Sequence, residues 1–376
     1  MNKEKAKVFF IMHMPPPIHG AAMVGKFIHD SYLVNEEFTC QYMNMMLANS
    51  LENIGKIGFS KLRLFIDQLL KIKNIIKSYK PDLVYLTPNS AGGAFYKDFL
   101  ILKFVQFCLC LFVRKSSPKI VVHFHNKGVV RRQNLFIDNV LYRLFFKKVK
   151  VILLANVLYK DVEKYVTRDN VYICANGIPE CNPVSLNVKR SDGVVRLLFL
   201  SNLLISKGVI VLLDALEKLK ESDYSFFCSF VGGETDEMNA TSFLSEVERR
   251  NLSNYVSYEG SKYGEYKIEY FKTSDIFVFP SLNDAFPLVL IEAMQHKLPI
   301  ISTNEGGIPD MVIDGENGLI CEKNAESLAN SLIKLLENSE LRHQLGENGY
   351  LKYKNEFTID SFEKKFVEIL HEITNS

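Results

Sequence analysis

The sequence predicts an α/β protein of two domains, and three observations predict it. Its 376 residues exceed what one ordinary hydrophobic core organises. Short apolar runs rich in branched and aromatic residues alternate with helical stretches, as parallel strands covered by helices do. The best-marked unit runs from Ser274 to Leu319, where Ile276–Phe279 reads as a buried strand, Leu288–Gln295 as a helix and Pro299–Ser302 as a second strand. Polar residues gather where these strands end, the edge at which open α/β sheets bind ligands.

Val8–Met12 reads as the first buried strand of the N-terminal domain. Met14–Ala22 then form a loop carrying His19 and Gly20, followed by a helix to about Asp30. A glycine at such a strand-to-helix turn admits a ligand close to the backbone, although a purely structural turn accounts for it too. Phe59–Lys80 is an amphipathic, lysine-rich helix closed by Pro81, and Asp82–Leu86 is the next strand. Thr87–Gly93 is a loop and Ala94–Val113 a helix. The apolar part of that helix, Phe99–Val113, is interrupted by Lys103 and Gln106 and is shorter than the roughly 20 residues a membrane span needs, so it reads as buried or interfacial. Lys119–His125 is a strand whose alternation puts His123 and His125 on one side. A strand histidine is commonly a satisfied core residue, but His125 stands at the end that borders the crevice. Arg131, Arg132, Arg143, Lys147, Lys148 and Lys150 add positive charge beyond it. Val149–Ala155 and Val171–Cys174 complete the domain, and Pro179–Asp192, rich in Pro, Asn and Ser, reads as a linker.

In the second half, Val194–Leu200 is a strand and a helix runs to Lys220. Between them lie Ser201, Asn202, Lys207 and Gly208, where an ammonium could offset the charge of a diphosphate leaving group. Phe226–Val231 and Val256–Gly260 are further strand ends, and Glu356–Ile373 is a final helix. In the central unit Pro280 stops the strand, Ser281, Asn283 and Asp284 form a polar loop, and Pro287 suits the first position of the helix. Asp284 and Glu292, with seven residues between them, can face one crevice. The amides around Phe286, Leu288 and Val289 point out of a helix N-terminus, a natural phosphate site. Two acids for hydroxyls flanking an anion hole would hold a sugar nucleotide.

Composition narrows the class. The first 180 residues hold 26 Lys and Arg against 13 Asp and Glu, and the remainder 19 against 30. A basic N-terminal half suits an anionic membrane surface or an anionic acceptor, and equally lysines that merely solubilise helix faces. Seven cysteines without a C-x-x-C indicate neither a disulfide framework nor a zinc site, and fit a reducing cytoplasm. The N-terminus enters a strand within eight residues and then meets Pro15–Pro17, too soon for a signal peptide. The expected setting is cytoplasmic, with peripheral association on the inner face of a membrane. No G-x-G-x-x-G follows a strand, which disfavours a dinucleotide-dependent dehydrogenase. Nothing calls for nucleic acid as a partner.

The stretch PSLNDAFPLVLIEAMQHKLPII followed by TNEGGIPDMVIDGENGLI resembles the signature of retaining nucleotide-sugar glycosyltransferases of the GT-B fold, family 4 (glycosyl transferases group 1). Members typically show PSxxEGFGLVxLEAMAxGxPVI and then TxxGGxxExVxDGxxGxL. The resemblance places Asp284 and Glu292 in the E-x7-E positions, with Asp for the first Glu, Ala285–Phe286–Pro287 for Gly-Phe-Gly, and Asp310 for the Glu after the double glycine. It implies two Rossmann-like domains with a cleft between them: 1–180 for the acceptor, 181–355 for the nucleotide-sugar donor, and 356–376 as a helix packing back towards the first. It implies that Gly20 faces the diphosphate and the acceptor, and that His125 holds the transferred sugar. Lys207 matches the lysine of the family's Gly-Arg-xxxx-Lys-Gly, while Ser201–Asn202 replaces Gly-Arg and leaves the usual phosphate arginine missing.

The expected function is therefore a retaining transfer from a nucleotide sugar to a hydroxyl, in bacterial surface polysaccharide assembly on a lipid-linked saccharide. His125, Asp284 and Lys207 are the catalytic candidates. Gly20, Asn202, Lys207, Phe286, Leu288, Val289, Glu292, Gly306 and Gly307 would bind substrate. No D-x-D motif occurs, so neither a metal nor a cofactor is expected, and UDP is the favoured nucleotide. The alternatives are a nucleotide-sugar 2-epimerase of the same fold and an inactive sugar-nucleotide-binding subunit.

Overall fold

The computed structural model describes residues 4–16, 19–45, 59–113, 118–181 and 192–376, with the side chains of 59–61 left aside. Pro17 of the first loop and residues 182–191 of the expected linker lie outside the described residues. The chain divides into two compact units, Met1–Gly177 with Ile359–Ser376, and Ile178–Thr358.

The first unit runs β1 (Lys7–Met12), α1 (Gly20–Asp30), α2 (Tyr32–Glu37), β2 (Thr39–Asn44), α3 (Phe59–Tyr79), β3 (Leu83–Leu86), α4 (Gly92–Phe112) and β4 (Lys119–His123). It continues with α5 (Val129–Arg132), α6 (Phe136–Phe145), β5 (Lys150–Leu153) and β6 (Val171–Ile173). Its six strands are parallel in the order β2-β1-β3-β4-β5-β6. β3 is buried at every position, as a strand covered on both faces must be. Right-handed crossovers put α3, α4 and α6 together on one face of the sheet. The C-terminal helix α14 (Ile359–Asn375) packs on this unit, where the Phe366 ring meets Phe10, Tyr85 and His123.

The second unit runs β7 (Val195–Leu200), α7 (Val209–Glu221), β8 (Phe226–Val231), α8 (Ala240–Arg249), β9 (Val256–Tyr258), α9 (Glu265–Thr273) and β10 (Ile276–Phe279). Then follow α10 (Leu288–Gln295), β11 (Ile300–Thr303), α11 (Ile308–Met311), β12 (Gly318–Cys321), α12 (Ala325–Glu337) and α13 (Ser339–Lys352). The order β12-β11-β10-β7-β8-β9, again all parallel, reverses direction between β7 and β10. The first sheet reverses in the same way between β1 and β3. Such a reversal opens a crevice at the carboxyl ends of the two central strands.

Three expectations are corrected. The strand expected to reach His125 ends at His123; Phe124 N–H still bonds Ile152 O at 3.1 Å, and the chain then leaves the ladder. Pro287 is the N-cap of α10, with extended backbone (ψ 114°), and not its first helical residue. The final helix begins at Ile359, because a π-helical turn at Tyr353–Phe357 and extended Thr358 separate it from α13.

Candidate active site

The second unit brings Lys207 and Asp284 together at its crevice, one following β7 and the other β10. Lys207 Nζ lies 2.5 Å from Asp284 Oδ2 and 3.3 Å from the Asn283 carbonyl, and both side chains are largely buried. Gly208, just after Lys207, holds φ 86°, and a Cβ there would lie 2.1 Å from Pro280 O. Only glycine lets the two loops close on each other in this way. The other carboxylate oxygen, Oδ1, accepts from Phe286 N–H at 3.2 Å. One amide of the expected anion hole is thus already taken by Asp284. Among the described residues, the N–H groups of Leu288 and Val289 meet no acceptor, and they open the N-terminus of α10.

Glu292 stands one helical turn further along. Its Oε1 is 2.6 Å from Lys267 Nζ on α9, while its Oε2 is buried without a hydrogen-bond partner. A buried carboxylate oxygen costs free energy unless something donates to it, so this atom has capacity for a donor that the described residues do not supply. The glycine turn is tied to the same loop: Gly307 N–H bonds Ala285 O at 2.7 Å, and Gly306 (φ 53°) approaches Asp284 O so closely that a Cβ would lie 2.0 Å away. Glu305 accepts from Asp284 N–H at 3.4 Å and pairs with Lys323 beyond β12. Asn202 has a structural part, its Oδ1 accepting from Gly233 N–H at 3.1 Å.

The first unit collects histidines at its own crevice. His13 directly follows β1, and Thr87 directly follows β3. The Thr87 hydroxyl accepts from His13 N–H at 2.9 Å and lies 3.1 Å from His13 Nδ1. The two contacts tie the His13 ring to the hydroxyl, whose oxygen has lone pairs for both and a proton it can give to Nδ1. The His123 Nδ1 is 2.8 Å from the Tyr85 hydroxyl. The His125 ring lies tilted against that of His123, with centroids 4.2 Å apart, and both its ring nitrogens are shielded from solvent without a partner. Burial, helped by the neighbouring cationic groups, pushes His13 down to about 3, and burial with His19 nearby pushes His125 to about 3. Burial also lowers His123 and His19. His19 caps α1 through Nδ1, 3.4 Å from Ala22 N–H, and Gly20 is the first residue of that helix. Among the described residues no cluster of His, Cys, Asp or Glu has the geometry to hold a metal ion.

The structure thus gathers Lys207, Asp284, Phe286, Leu288, Val289, Glu292, Gly306 and Gly307 at one sheet edge of the second unit. His125 and Gly20 stand at the corresponding edge of the first. Sequence reasoning missed Lys267, Glu305, Lys323 and His13. Of these only His13 carried a usable signal, since it sits one residue past a buried strand, at the crevice edge that singled out His125.

Residues 187–352 match the family described as Glycosyl transferases group 1. Over 331 residues the chain is 28% identical to an uncharacterized glycosyltransferase of Methanocaldococcus jannaschii, MJ1178, an alignment covering 85% of this chain and 82% of that protein. It is 28% identical over 178 residues to the capsular polysaccharide biosynthesis glycosyltransferase CapM of Staphylococcus aureus, 46% of this chain and 40% of that one. The crystal structure of Anabaena HepE in complex with UDP and glucose superposes with a TM-score of 0.71 at 16% identity, covering 98% of this chain and all of that chain. At that identity the likeness is one of fold. Residues 187–352 of the second unit thus resemble the glycosyl transferases group 1, on a chain with the GT-B fold.

Proposed function

We propose that the protein is a retaining nucleotide-sugar glycosyltransferase of family 4 that extends a lipid-linked saccharide in surface polysaccharide assembly. The observation that carries this reading is the set at the second unit's crevice. A buried, unpartnered Glu292 Oε2 lies on the same helix as two open amides, with an ammonium and a carboxylate beside its N-terminus. Glu292 Oε2 would accept from the ribose hydroxyls, and the Leu288 and Val289 amides with Lys207 would meet the diphosphate without a metal. Asp284 and the Gly306–Gly307 turn would hold the donor sugar, and His125 is the first unit's candidate for a sugar hydroxyl. UDP is the preferred nucleotide because HepE, of the same fold, binds it; the name of CapM supports a polysaccharide product. In the transfer the anomeric carbon–phosphate oxygen bond breaks as the acceptor oxygen bonds to the same face. The acceptor proton passes to the departing phosphate, so no side chain need become covalently attached.

Donor kinetics on two variants test the assignment. Glu292 would bind hydroxyls that do not change during reaction, so Glu292→Gln is expected to raise the donor KM about tenfold or more with kcat little changed. Asp284→Asn is expected to keep nucleoside diphosphate affinity yet lose discrimination between donor sugars. A Glu292→Gln enzyme with normal KM and abolished kcat would move the ribose elsewhere.

A further inference from the structure

Helices α3, α4 and α6 form one layer over the first sheet, and its outward side is apolar and cationic. From Leu100 onward the exposed residues of α4 are Leu100, Phe107, Cys110 and Leu111. Its polar side chains there turn sideways: Lys103 Nζ donates to Leu144 O at 2.6 Å and Gln106 Nε2 to Lys147 O at 3.3 Å, at the end of α6. On α6, Phe136, Ile137, Val140 and Leu144 make one stripe, with Phe136 82% and Ile137 67% exposed. On α3, Leu62, Leu64, Ile66 and Leu70 are also exposed. Single exposed apolar side chains are ordinary; a run of them across three neighbouring helices marks an interaction surface.

The charges around them have one sign. Arg63, Lys71, Lys73, Lys77, Arg143 and Lys147 are exposed, and the one exposed acid on the described parts of these helices is Asp67. A cavity of about 1230 Å³ opens beside the layer at Lys103 and Lys147, with Lys119, Lys148 and Lys150 also in its wall. Pairing this face with a second copy of itself would set cations against cations. No helix among the described residues is long and apolar enough to cross a membrane.

We propose that the α3–α4–α6 layer docks on an anionic lipid bilayer, its apolar side chains entering the interface and its cations meeting headgroup phosphates. This deepens the reading of a lipid-linked acceptor but stands on the layer alone. Flotation of the full chain with vesicles of phosphatidylcholine, alone or mixed with phosphatidylglycerol, tests it. The wild type is expected to float with the mixed vesicles at low salt and to be released as salt rises. Phe136→Asp with Ile137→Asp should abolish flotation. Arg143→Ala with Lys147→Ala should weaken it about 25-fold, at roughly a fivefold loss per cation. Leu244→Asp, at an exposed apolar position on α8 of the second unit, should leave it unchanged. Nucleotide-sugar affinity, measured on the same variants, should stay at the wild-type level, which separates docking from donor binding. Absence of flotation, equal flotation with neutral vesicles, or an unaffected Phe136→Asp/Ile137→Asp protein would overturn the proposal. So would a wild-type dimer that these substitutions dissociate, since the face would then belong to a second copy.

Discussion

Lys207→Ala is expected to lower kcat by roughly a hundredfold, with a much smaller change in donor KM, because in the proposed reaction its ammonium would face the charge that grows on the departing diphosphate. The structure adds a condition that the bare sequence does not contain. The ammonium is held by Asp284 Oδ2, 2.5 Å away, so the carboxylate sets where the cation stands. Removing either partner disturbs the other. The double variant Asp284→Asn/Lys207→Ala should therefore lose much less than the product of the two single losses. Steady-state kinetics on the four proteins of this cycle supplies the comparison. Independent, multiplicative losses would show that the two groups act separately.

The first unit should lose stability steeply as the solution is acidified through pH 6. His13 and His125 are held neutral in the fold by burial, each near 3 against an ordinary value of 6.5. Between those values the unfolded chain binds protons that the folded chain refuses, so stability rises with pH across this window. The contribution is fully present above pH 6.5 and fades as pH falls towards 3. Well inside the window each histidine adds a slope of about 1.4 kcal/mol per pH unit. Urea unfolding at a series of pH values should show this slope, and His13→Gln or His125→Gln should each flatten it. A slope unchanged in both variants would mean that the buried rings are not its source.

How much of this was legible in the chain depended on how local the signal was. The ends of β8 and β10 follow from apolar runs closed by Gly232 and Pro280, whereas Pro287 marks the start of α10 only to within one residue, as its N-cap. The edge strand β2 escaped notice because Thr39–Asn44 is half-exposed along its length and carries no apolar run. Strand order is not local at all, so the reversals between β1 and β3 and between β7 and β10 are invisible in sequence. They are what bring Thr87 to His13 and Asp284 to Lys207. The Asp284 and Glu292 positions stood out through their spacing and their resemblance to a family pattern. The Glu292–Lys267 pair has no such mark, because the lysine lies on another helix 25 residues away. The same holds for Lys323, which reaches the Asp284 loop through Glu305. The bond from the Gly233 N–H to Asn202 Oδ1 is likewise unmarked, because its partners follow different strands and lie 31 residues apart.

The most direct measurement is a thermal-shift panel of nucleotide sugars on the wild type and on Glu292→Gln. A donor present at 100 times its dissociation constant should stabilise the wild type by about 2.7 kcal/mol. The account predicts that at least one nucleoside diphosphate sugar, with UDP as the preferred nucleotide, raises Tm in this way, and that Glu292→Gln loses most of the shift at the same concentration. A wild-type protein whose Tm no nucleotide sugar raises, or a Glu292→Gln protein stabilised as strongly as the wild type, would contradict it.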